Sequence, residues 1–222
     1  MTLLKMCGLR DVDSAVSASR VGADFLGFVF VTGARRSLSI KAARDIVGRY
    51  RQTIGLYGPK LVGLFANQPI SELENLVQDV GLDMVQLCGE EPPEYLEKIS
   101  VPVIKQIKVR DEWDKKEVVT ETLREVENVT RMGHLVSLDR YHPEAKGGTG
   151  KSFDWDIAAE IAFRANFILS GGLTPENVQQ AIEVAHPYGV DVSSGIEVDG
   201  IKNSKKIEDF ARAVRRTNEF TD

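Results

Sequence analysis

Eight repeats of a buried strand followed by an amphipathic helix predict an α/β fold, and their even spacing predicts a closed (β/α)8 barrel, the TIM barrel. Dividing 222 residues by eight gives about 28 residues per repeat, close to the ~30 residues of a minimal βαβ unit. Strict alternation of strand and helix implies a parallel sheet. An open doubly wound sheet also fits this alternation, but the regular period and the lack of a dinucleotide-binding glycine fingerprint favour closure.

The first repeats show how each element is assigned. Residues 3–7 form a short apolar strand, which Gly8 ends. Asp11 or Asp13 can then cap a helix whose apolar residues fall at helical spacing. The next strand, residues 25–30, is apolar on both faces, as expected for a strand that is covered on both sides.

The other elements continue this alternation. Strands are predicted at residues 60–65, 84–87, 103–109, 134–138, 167–170 and 190–193. Helices are predicted at about residues 39–50, 69–80, 92–99 and 115–131, from 154, from 174, and from 204 to about 219. Thr174 and Pro175 favour a helix start with threonine as the N-cap and proline as the first helical residue. No linker or shift in composition divides the chain, so residues 1–222 are predicted to form a single barrel domain.

Composition excludes several classes of protein. Hydrophobic residues make up 42% of the chain, enough for a real core, but no apolar run reaches the ~18 residues of a membrane span. The N-terminus leads directly into a strand without the features of a signal peptide, which predicts a cytoplasmic protein. A net charge of −5 argues against nucleic-acid binding. Two cysteines are too few for a disulfide framework or a zinc site, and no cluster has metal-ligand spacing, so no metal site is predicted.

Candidate catalytic side chains lie where the predicted strands end, because a barrel places its chemistry at the C-terminal ends of its strands. Cys7 ends the first strand and Asp139 follows the sixth, so a thiol and a carboxyl can face each other as an acid–base pair. Equally, Cys7 can be a small buried residue and Asp139 a capping or ion-paired one. Arg35 and Arg36 follow the second strand, and Cys88 follows the fourth. A disulfide between Cys7 and Cys88 is not expected, because strands 1 and 4 lie nearly opposite each other.

Three short loops with glycine follow strands 6, 7 and 8 in succession, at residues 147–150, 171–172 and 193–195. Such loops expose backbone N–H groups that can surround a phosphate, and the last loops of a TIM barrel commonly do so. The alternative is that the glycines only make turns. Together the three loops predict a phosphate site held by backbone dipoles rather than by a basic face.

Seven motifs, in chain order, carry a resemblance to a known family. They are KMCGL at 5–9, GADFLGFVF at 22–30, VGLFANQ at 62–68, VQLCGEE at 85–91, LDRYHPEAKGGTGKSFDW at 138–155, SGGLTPENV at 170–178 and DVSSGIE at 191–197. This set resembles the phosphoribosylanthranilate isomerases of tryptophan biosynthesis. The resemblance implies a (β/α)8 barrel that isomerises N-(5′-phosphoribosyl)anthranilate to 1-(2-carboxyphenylamino)-1-deoxyribulose 5-phosphate, an Amadori rearrangement without a cofactor.

The resemblance also implies roles for individual residues. The family's general base, in its KxCG motif, corresponds to Cys7, and its general acid, in its LLD motif, corresponds to Asp139, with Ser137 replacing the first leucine. The arginine that binds the substrate carboxylate corresponds to Arg36, and an aspartate near the substrate corresponds to Asp191. Phosphate contacts are implied for the residues of the three loops: Gly147, Gly148, Gly171, Gly172, Ser193, Ser194 and Gly195.

Further expectations follow from the implied mechanism. Cys7 must react as a thiolate, so the site is expected to lower its pKa from ~8.5, and Asp139 must donate a proton, so its pKa is expected to be raised from ~3.9. Cys88 departs from the family, which usually has histidine there, so the histidine contact with substrate does not carry over. The expected partner is a small phosphoribosyl substrate, without nucleic acid or membrane, and the chain is expected to be a monomer or a homodimer.

Two other functions stay open at this point. One is a related phosphosugar isomerase, such as the aminoimidazole-carboxamide ribotide isomerase of histidine synthesis. That barrel is expected to use two aspartates at strand ends, whereas the first strand of this chain ends in Cys7. The other is a non-catalytic phosphate-binding barrel, against which the presence of Cys7, Asp139 and all three loops argues.

Overall fold

The computed structural model of the protein describes residues 1–55, 57–110, 114–140 and 153–218. Eight parallel strands form a closed barrel in chain order, with each strand hydrogen-bonded to the next and the eighth to the first. The strands are β1 (Leu3–Cys7), β2 (Phe25–Val29), β3 (Lys60–Phe65), β4 (Met84–Leu87), β5 (Val103–Val109), β6 (Leu135–Arg140), β7 (Ile168–Leu169) and β8 (Gly189–Val192). The predicted (β/α)8 barrel is confirmed.

Helices follow the strands in the described part of the chain. They are α1 (Val12–Arg20), α2 (Ile40–Ile54), α3 (Ile70–Val80), α4 (Pro93–Leu96), α5 (Lys115–Arg131), α6 (Trp155–Ala162), α7 (Val178–Ala185) and α8 (Ser204–Asn218). The side chains of Asp11, Ser39 and Asp114 each accept a backbone N–H from the first turn of a helix, which fixes where α1, α2 and α5 begin. None of the helices within the described residues is long and apolar enough to cross a membrane.

Helix α4 is shorter than the predicted helix at residues 92–99. After Leu96 the backbone bonds three residues back instead of four: the Lys98 N–H donates to the Tyr95 carbonyl at 3.2 Å, and the Ile99 N–H donates to the Leu96 carbonyl at 3.2 Å. These tighter turns end the α-helix.

Helix α7 begins at Val178, later than the predicted start at Thr174. The side chain of Asn177 explains the difference. Its Oδ1 accepts a hydrogen bond from the Thr174 N–H at 2.8 Å, and its Nδ2 donates to the Gly172 carbonyl at 2.9 Å. These bonds close a separate turn before the helix, and Oγ1 of Thr174 caps this turn by accepting the Glu176 N–H at 3.3 Å. Thr174 thus makes the predicted capping bond, but the α-helix itself begins only after Asn177.

Two apolar clusters stabilise the barrel, because alternate strand residues point inward and outward. The outward side chains pack against the helices. The inward side chains form a second cluster, which includes Phe25, Val62, Met84, Ile104 and Ile168. Cys7 belongs to this inner cluster, so the fold itself places the thiol inside the barrel.

A segment that was not predicted follows β8. A 3-10 helix (Ser194–Ile196) leads into an antiparallel hairpin of β9 (Glu197–Val198) and β10 (Ile201–Lys202). Positive φ angles at Asp199 (51°) and Gly200 (78°) make its tight turn. The hairpin brings two charged residues, Glu197 and Lys202, to the edge of the barrel mouth.

Candidate active site

A cavity of about 560 Å³ opens at the C-terminal ends of the strands. It is lined by most of the predicted site residues: Cys7, Arg36, Asp139, Gly171, Gly172, Asp191, Ser193 and Ser194. Cys88 lines it as well. The predicted phosphate residues Gly147 and Gly148 lie outside the described residues. The fold therefore brings residues from β1, β6 and β8 and from several loops into one site.

Cys7 is buried at the end of β1, with 5% of its surface exposed. Its sulfur lies against Gly27 of β2, where an added Cβ would come within 2.7 Å of Sγ, so glycine makes room for the thiol. Burial raises the pKa of the Cys7 thiol, although the positive charge of Lys5 opposes this effect. The prediction that the site lowers the thiol pKa is therefore wrong for the unliganded protein, because the loss of solvation outweighs the nearby cations.

Asp139 lies on β6 and points into the same cavity. Its Oδ1 accepts a hydrogen bond from the Arg140 N–H at 2.8 Å, and its Oδ2 accepts one from Nε2 of Gln106 at 2.9 Å. Burial raises the pKa of this carboxyl to about 6, with a smaller contribution from the negative charge of Asp191. The predicted upward shift is confirmed, and the carboxyl can hold a proton near neutrality.

Arg36 is buried at the mouth of the barrel, where its guanidinium forms a bidentate pair with Glu197. Nε donates to Oε1 at 2.7 Å and Nη2 donates to Oε2 at 2.9 Å. Gly8, with φ of 72°, packs directly on the Arg36 side chain, which leaves no space for a Cβ. Arg36 is thus held rigidly in the cavity wall, and the part of its guanidinium that does not contact Glu197 is available to a ligand.

Three cationic side chains contact the carboxylate of Glu197. Besides Arg36, its carboxylate accepts hydrogen bonds from Arg35 at 2.6 Å and from Lys202 at 2.8 Å. Although burial favours the neutral form, these partners lower the pKa of Glu197 to about 2. Sequence reasoning did not assign Glu197 a role, although the motif DVSSGIE at 191–197 contains it.

We expect Glu197→Gln to lower the free energy of unfolding by about 3 kcal/mol at pH 7, because three cations lose a buried partner. A carboxylate with a depressed pKa stabilises the fold above its unfolded value of 4.5, and this contribution is lost as the pH falls towards about 2. The urea midpoints of wild type and variant should therefore converge below pH 4.5. Glu208→Gln, at an exposed position on α8, is the control and should match wild type at each pH. A constant difference at all pH values would contradict this account.

Lys5 and Asp191 form a buried ion pair beneath the cavity, with Nζ and Oδ2 2.7 Å apart and 1% and 9% of the side chains exposed. The other carboxylate oxygen of Asp191 has no hydrogen-bond partner among the described residues, nor does Oε1 of Gln86. Both side chains line the cavity and offer acceptors to a polar ligand. Lys5 and Gln86 had no predicted role. A lysine within an apolar strand, two residues before Cys7, was the available signal.

Cys88 faces the cavity but is unsuited to acid–base chemistry. Burial raises the pKa of its thiol to about 12, and its sulfur accepts a hydrogen bond from Nε2 of Gln86 at 3.6 Å. Cys7 and Cys88 are both free thiols. Within the described residues, no group of three or more His, Cys, Asp or Glu side chains could hold a metal ion.

The loops after β7 and β8 are shaped by glycine. Gly171 and Gly172 line the cavity and have positive φ angles of 91° and 64°, a region of backbone conformation that favours glycine. Gly195 lies behind this surface, where an added Cβ would collide with the Leu173 carbonyl, so only glycine lets the two loops approach. Ser193 donates a hydrogen bond from Oγ to the carbonyl of Cys7 at 3.1 Å, which ties its loop to β1.

The sequence was compared with those of known proteins. Residues 4–213 match the family model described as N-(5′-phosphoribosyl)anthranilate (PRA) isomerase. An N-(5′-phosphoribosyl)anthranilate isomerase of Moorella thermoacetica is 41% identical over 220 residues, covering 99% of this chain and 92% of the relative.

The fold is also shared with solved structures. The phosphoribosyl anthranilate isomerase of Thermotoga maritima superimposes with a TM-score of 0.83 at 33% identity, covering 97% of this chain and 100% of that one. A phosphoribosyl anthranilate isomerase in complex with reduced 1-(o-carboxyphenylamino)-1-deoxyribulose 5-phosphate gives a TM-score of 0.78 at 30% identity, with 97% and 100% of the two chains covered. In sequence and in fold alike, the similarity extends over nearly the whole chain.

Proposed function

The chain belongs to the N-(5′-phosphoribosyl)anthranilate isomerase family, and we propose that it performs the family's reaction with Cys7 as general base and Asp139 as general acid. It is an isomerase of tryptophan biosynthesis. The observation that carries the proposed roles is that a thiol and a carboxyl with a pKa of about 6 line the same cavity. Among the described residues that line the cavity, the one other carboxyl is that of Asp191, which is paired with Lys5.

The proposed mechanism has two proton transfers. Protonated Asp139 donates to the furanose ring oxygen, the C1′–O bond breaks, and the nitrogen lone pair forms a protonated Schiff base. The Cys7 thiolate then removes the proton on C2′, the released electron pair forms the C1′–C2′ double bond, and the C1′=N π pair returns to nitrogen, which gives a neutral enolamine. Tautomerisation of the enolamine gives the ketone. The cycle closes when the proton gained by Cys7 is lost and Asp139 is protonated again.

Binding groups at opposite ends of the substrate fix it between the acid and the base. We propose that Arg36 binds the carboxylate of the anthranilate ring, for which its buried and oriented guanidinium is suited. The phosphate is proposed to bind at Gly171, Gly172, Ser193 and Ser194, with Gly195 supporting the loop and with Gly147 and Gly148 contributing from outside the described residues. Asp191 is proposed to accept a hydrogen bond from the substrate through its unpartnered Oδ1.

Arg36→Met should raise KM about 10- to 100-fold with a smaller change in kcat, because a charge-assisted pair with the substrate carboxylate is lost. The test compares two substrates, phosphoribosylanthranilate and the analogue made from aniline, which lacks the carboxylate. Wild type should prefer the first, and the variant should treat the two alike. Arg35→Met is the matched control, because Arg35 contacts the same Glu197 but is 62% exposed. If the variant keeps the preference for the carboxylate, Arg36 does not bind it.

Two features of the protein stay predictions. One is the cytoplasmic location, and the other is the choice between monomer and homodimer.

A further inference from the structure

We infer that Lys5 is a positioning residue for this reaction: its ammonium group, held in place by Asp191, faces Cys7 from within the barrel and stabilises the thiolate. This inference rests on the proposed role of Cys7 as general base. It assigns a function to a buried lysine that the acid–base pair and the substrate anchors leave unexplained.

The position of Lys5 follows from the strand geometry. Lys5 and Cys7 are two residues apart on β1, so their side chains point to the same side, the barrel interior. In the parallel pairing of β1 with β8, Lys5 lies directly beside Asp191. Nζ of Lys5 donates to Oδ2 of Asp191 at 2.7 Å, and only 1% of the lysine is exposed. The ammonium is thus held inside the barrel, on the same face of β1 as the thiol.

Stability does not explain the burial of this pair. Taking a lysine and an aspartate out of water is costly, and apolar residues of similar volume would often serve the fold as well or better. The barrel interior already contains an apolar cluster that includes Phe25, Val62 and Met84. A buried ion pair beside a reactive thiol is therefore better explained by its effect on that thiol.

The charges that face Cys7 come from several elements. Lys5 faces it from β1, Asp191 from β8 and Lys202 from β10. Cys88 faces it from the end of β4. Lys202 is already committed to the carboxylate of Glu197 at 2.8 Å, within the cation cluster at the barrel mouth. After burial, which raises the pKa of Cys7, the charge of Lys5 has the largest effect, and it acts in the opposite direction.

The same charges also affect the pKa of Asp139. Its pKa is raised by the charge of Asp191 and lowered by that of Lys5, after the larger effect of burial. Lys5 therefore favours the ionised form of both reacting groups. At Asp139 the charge of Lys5 is the smallest of the effects, whereas at Cys7 it is the largest after burial.

The test measures the rate at which iodoacetamide alkylates Cys7 at pH 7.5, with the modified peptide quantified by mass spectrometry. This rate follows the thiolate fraction and needs no turnover. Lys5→Met should lower it at least about tenfold, the effect of removing an opposite charge at close range. A general loosening of the structure would raise the rate instead. Lys5→Arg should retain most of the wild-type rate.

Lys105→Met is the control, because Lys105 is also a barrel-strand lysine with little exposure (12% of its side chain) that pairs with a carboxylate, Glu91, at 2.7 Å. It should leave the alkylation of Cys7 unchanged. Asp191→Asn should raise the rate above wild type. The double variant Lys5→Met with Asp191→Asn, which leaves no unpaired buried charge, should fall between Lys5→Met and wild type.

The outcomes distinguish the role of Lys5 from the role of Cys7 as general base. Equal alkylation rates in wild type, Lys5→Met and the double variant would overturn the role of Lys5 and leave Cys7 as base untouched. Full turnover in a variant without the thiol would overturn the proposed base itself. The predicted order of the rates, together with a basic limb of kcat/KM that moves to higher pH in Lys5→Met, supports the inference.

Discussion

Cys7→Ala is expected to lower kcat by about 10²–10⁴-fold with little change in KM, because a general base contributes roughly that much and acts only in the transition state. The substrate should still bind, since Arg36 and the phosphate loops are unchanged. Cys7→Ser should be nearly as slow, because a hydroxyl ionises far less readily than a thiol. The measurement is the decay of anthranilate fluorescence with freshly prepared phosphoribosylanthranilate.

Cys88→Ala is the matched control for this experiment. Cys88 lines the same cavity, but its thiol, with a pKa of about 12, stays protonated at neutral pH and cannot act as a base. We expect this variant to lose less than about tenfold in kcat, in line with the loss of a packing contact alone. If Cys7→Ala retains more than a tenth of the wild-type kcat while its thermal midpoint is unchanged, Cys7 is not the base.

The barrel and the meeting of Cys7 and Asp139 in one cavity could be predicted from the sequence, because both depend on local patterns. Alternation of apolar strands and helices specifies a parallel barrel, and a barrel places strand-end residues such as Cys7 and Asp139 at one mouth. The arginine at position 36 and the glycines at 171 and 172 follow from the same rule. Each of these residues can be located from its position relative to the end of its own strand.

The partners of these residues could not be predicted, because they depend on contacts between distant parts of the chain. Arg36 is bound by Glu197, 161 residues away, through a hairpin whose two-residue strands give no periodic signal. Lys5 pairs with Asp191 across a separation of 186 residues, where the last strand closes against the first. The direction of the Cys7 pKa shift depends on how far burial outweighs Lys5, a balance that only the three-dimensional structure gives.

Asp139→Asn should also lower kcat by about 10²–10⁴-fold, since the amide cannot donate the proton that opens the ring. The amide fits the same space, and Gln106 can rotate its own amide to keep a hydrogen bond. Asp79→Asn, at an exposed position on α3, is the control and should match wild type in kcat and KM. Near wild-type turnover in Asp139→Asn would remove Asp139 as the acid.

The dependence of kcat/KM on pH tests the same pair more closely. The reactive form needs a protonated Asp139 and an ionised Cys7, yet the pKa of Asp139 is about 6 and that of Cys7 is raised from 9.0. As the pH decreases below 6, the carboxyl stays protonated while the thiolate fraction of Cys7 falls tenfold per pH unit, so kcat/KM falls. Between the two pKa values the gain in thiolate cancels the loss of protonated carboxyl, which gives a plateau. Above the pKa of Cys7 the rate falls again.

Asp139→Asn should therefore remove the break near pH 6 and the plateau above it as well as lower the rate, because only the thiol then titrates and kcat/KM rises with pH until Cys7 is ionised. The phosphate group of the substrate also titrates near ~6, so a limb that it causes would persist in the variant. Subtracting one profile from the other isolates the enzyme carboxyl. If the plateau of kcat/KM begins at the same pH in both proteins, the pKa of Asp139 does not control the reaction. The acid would then have to be sought among the other groups of the cavity.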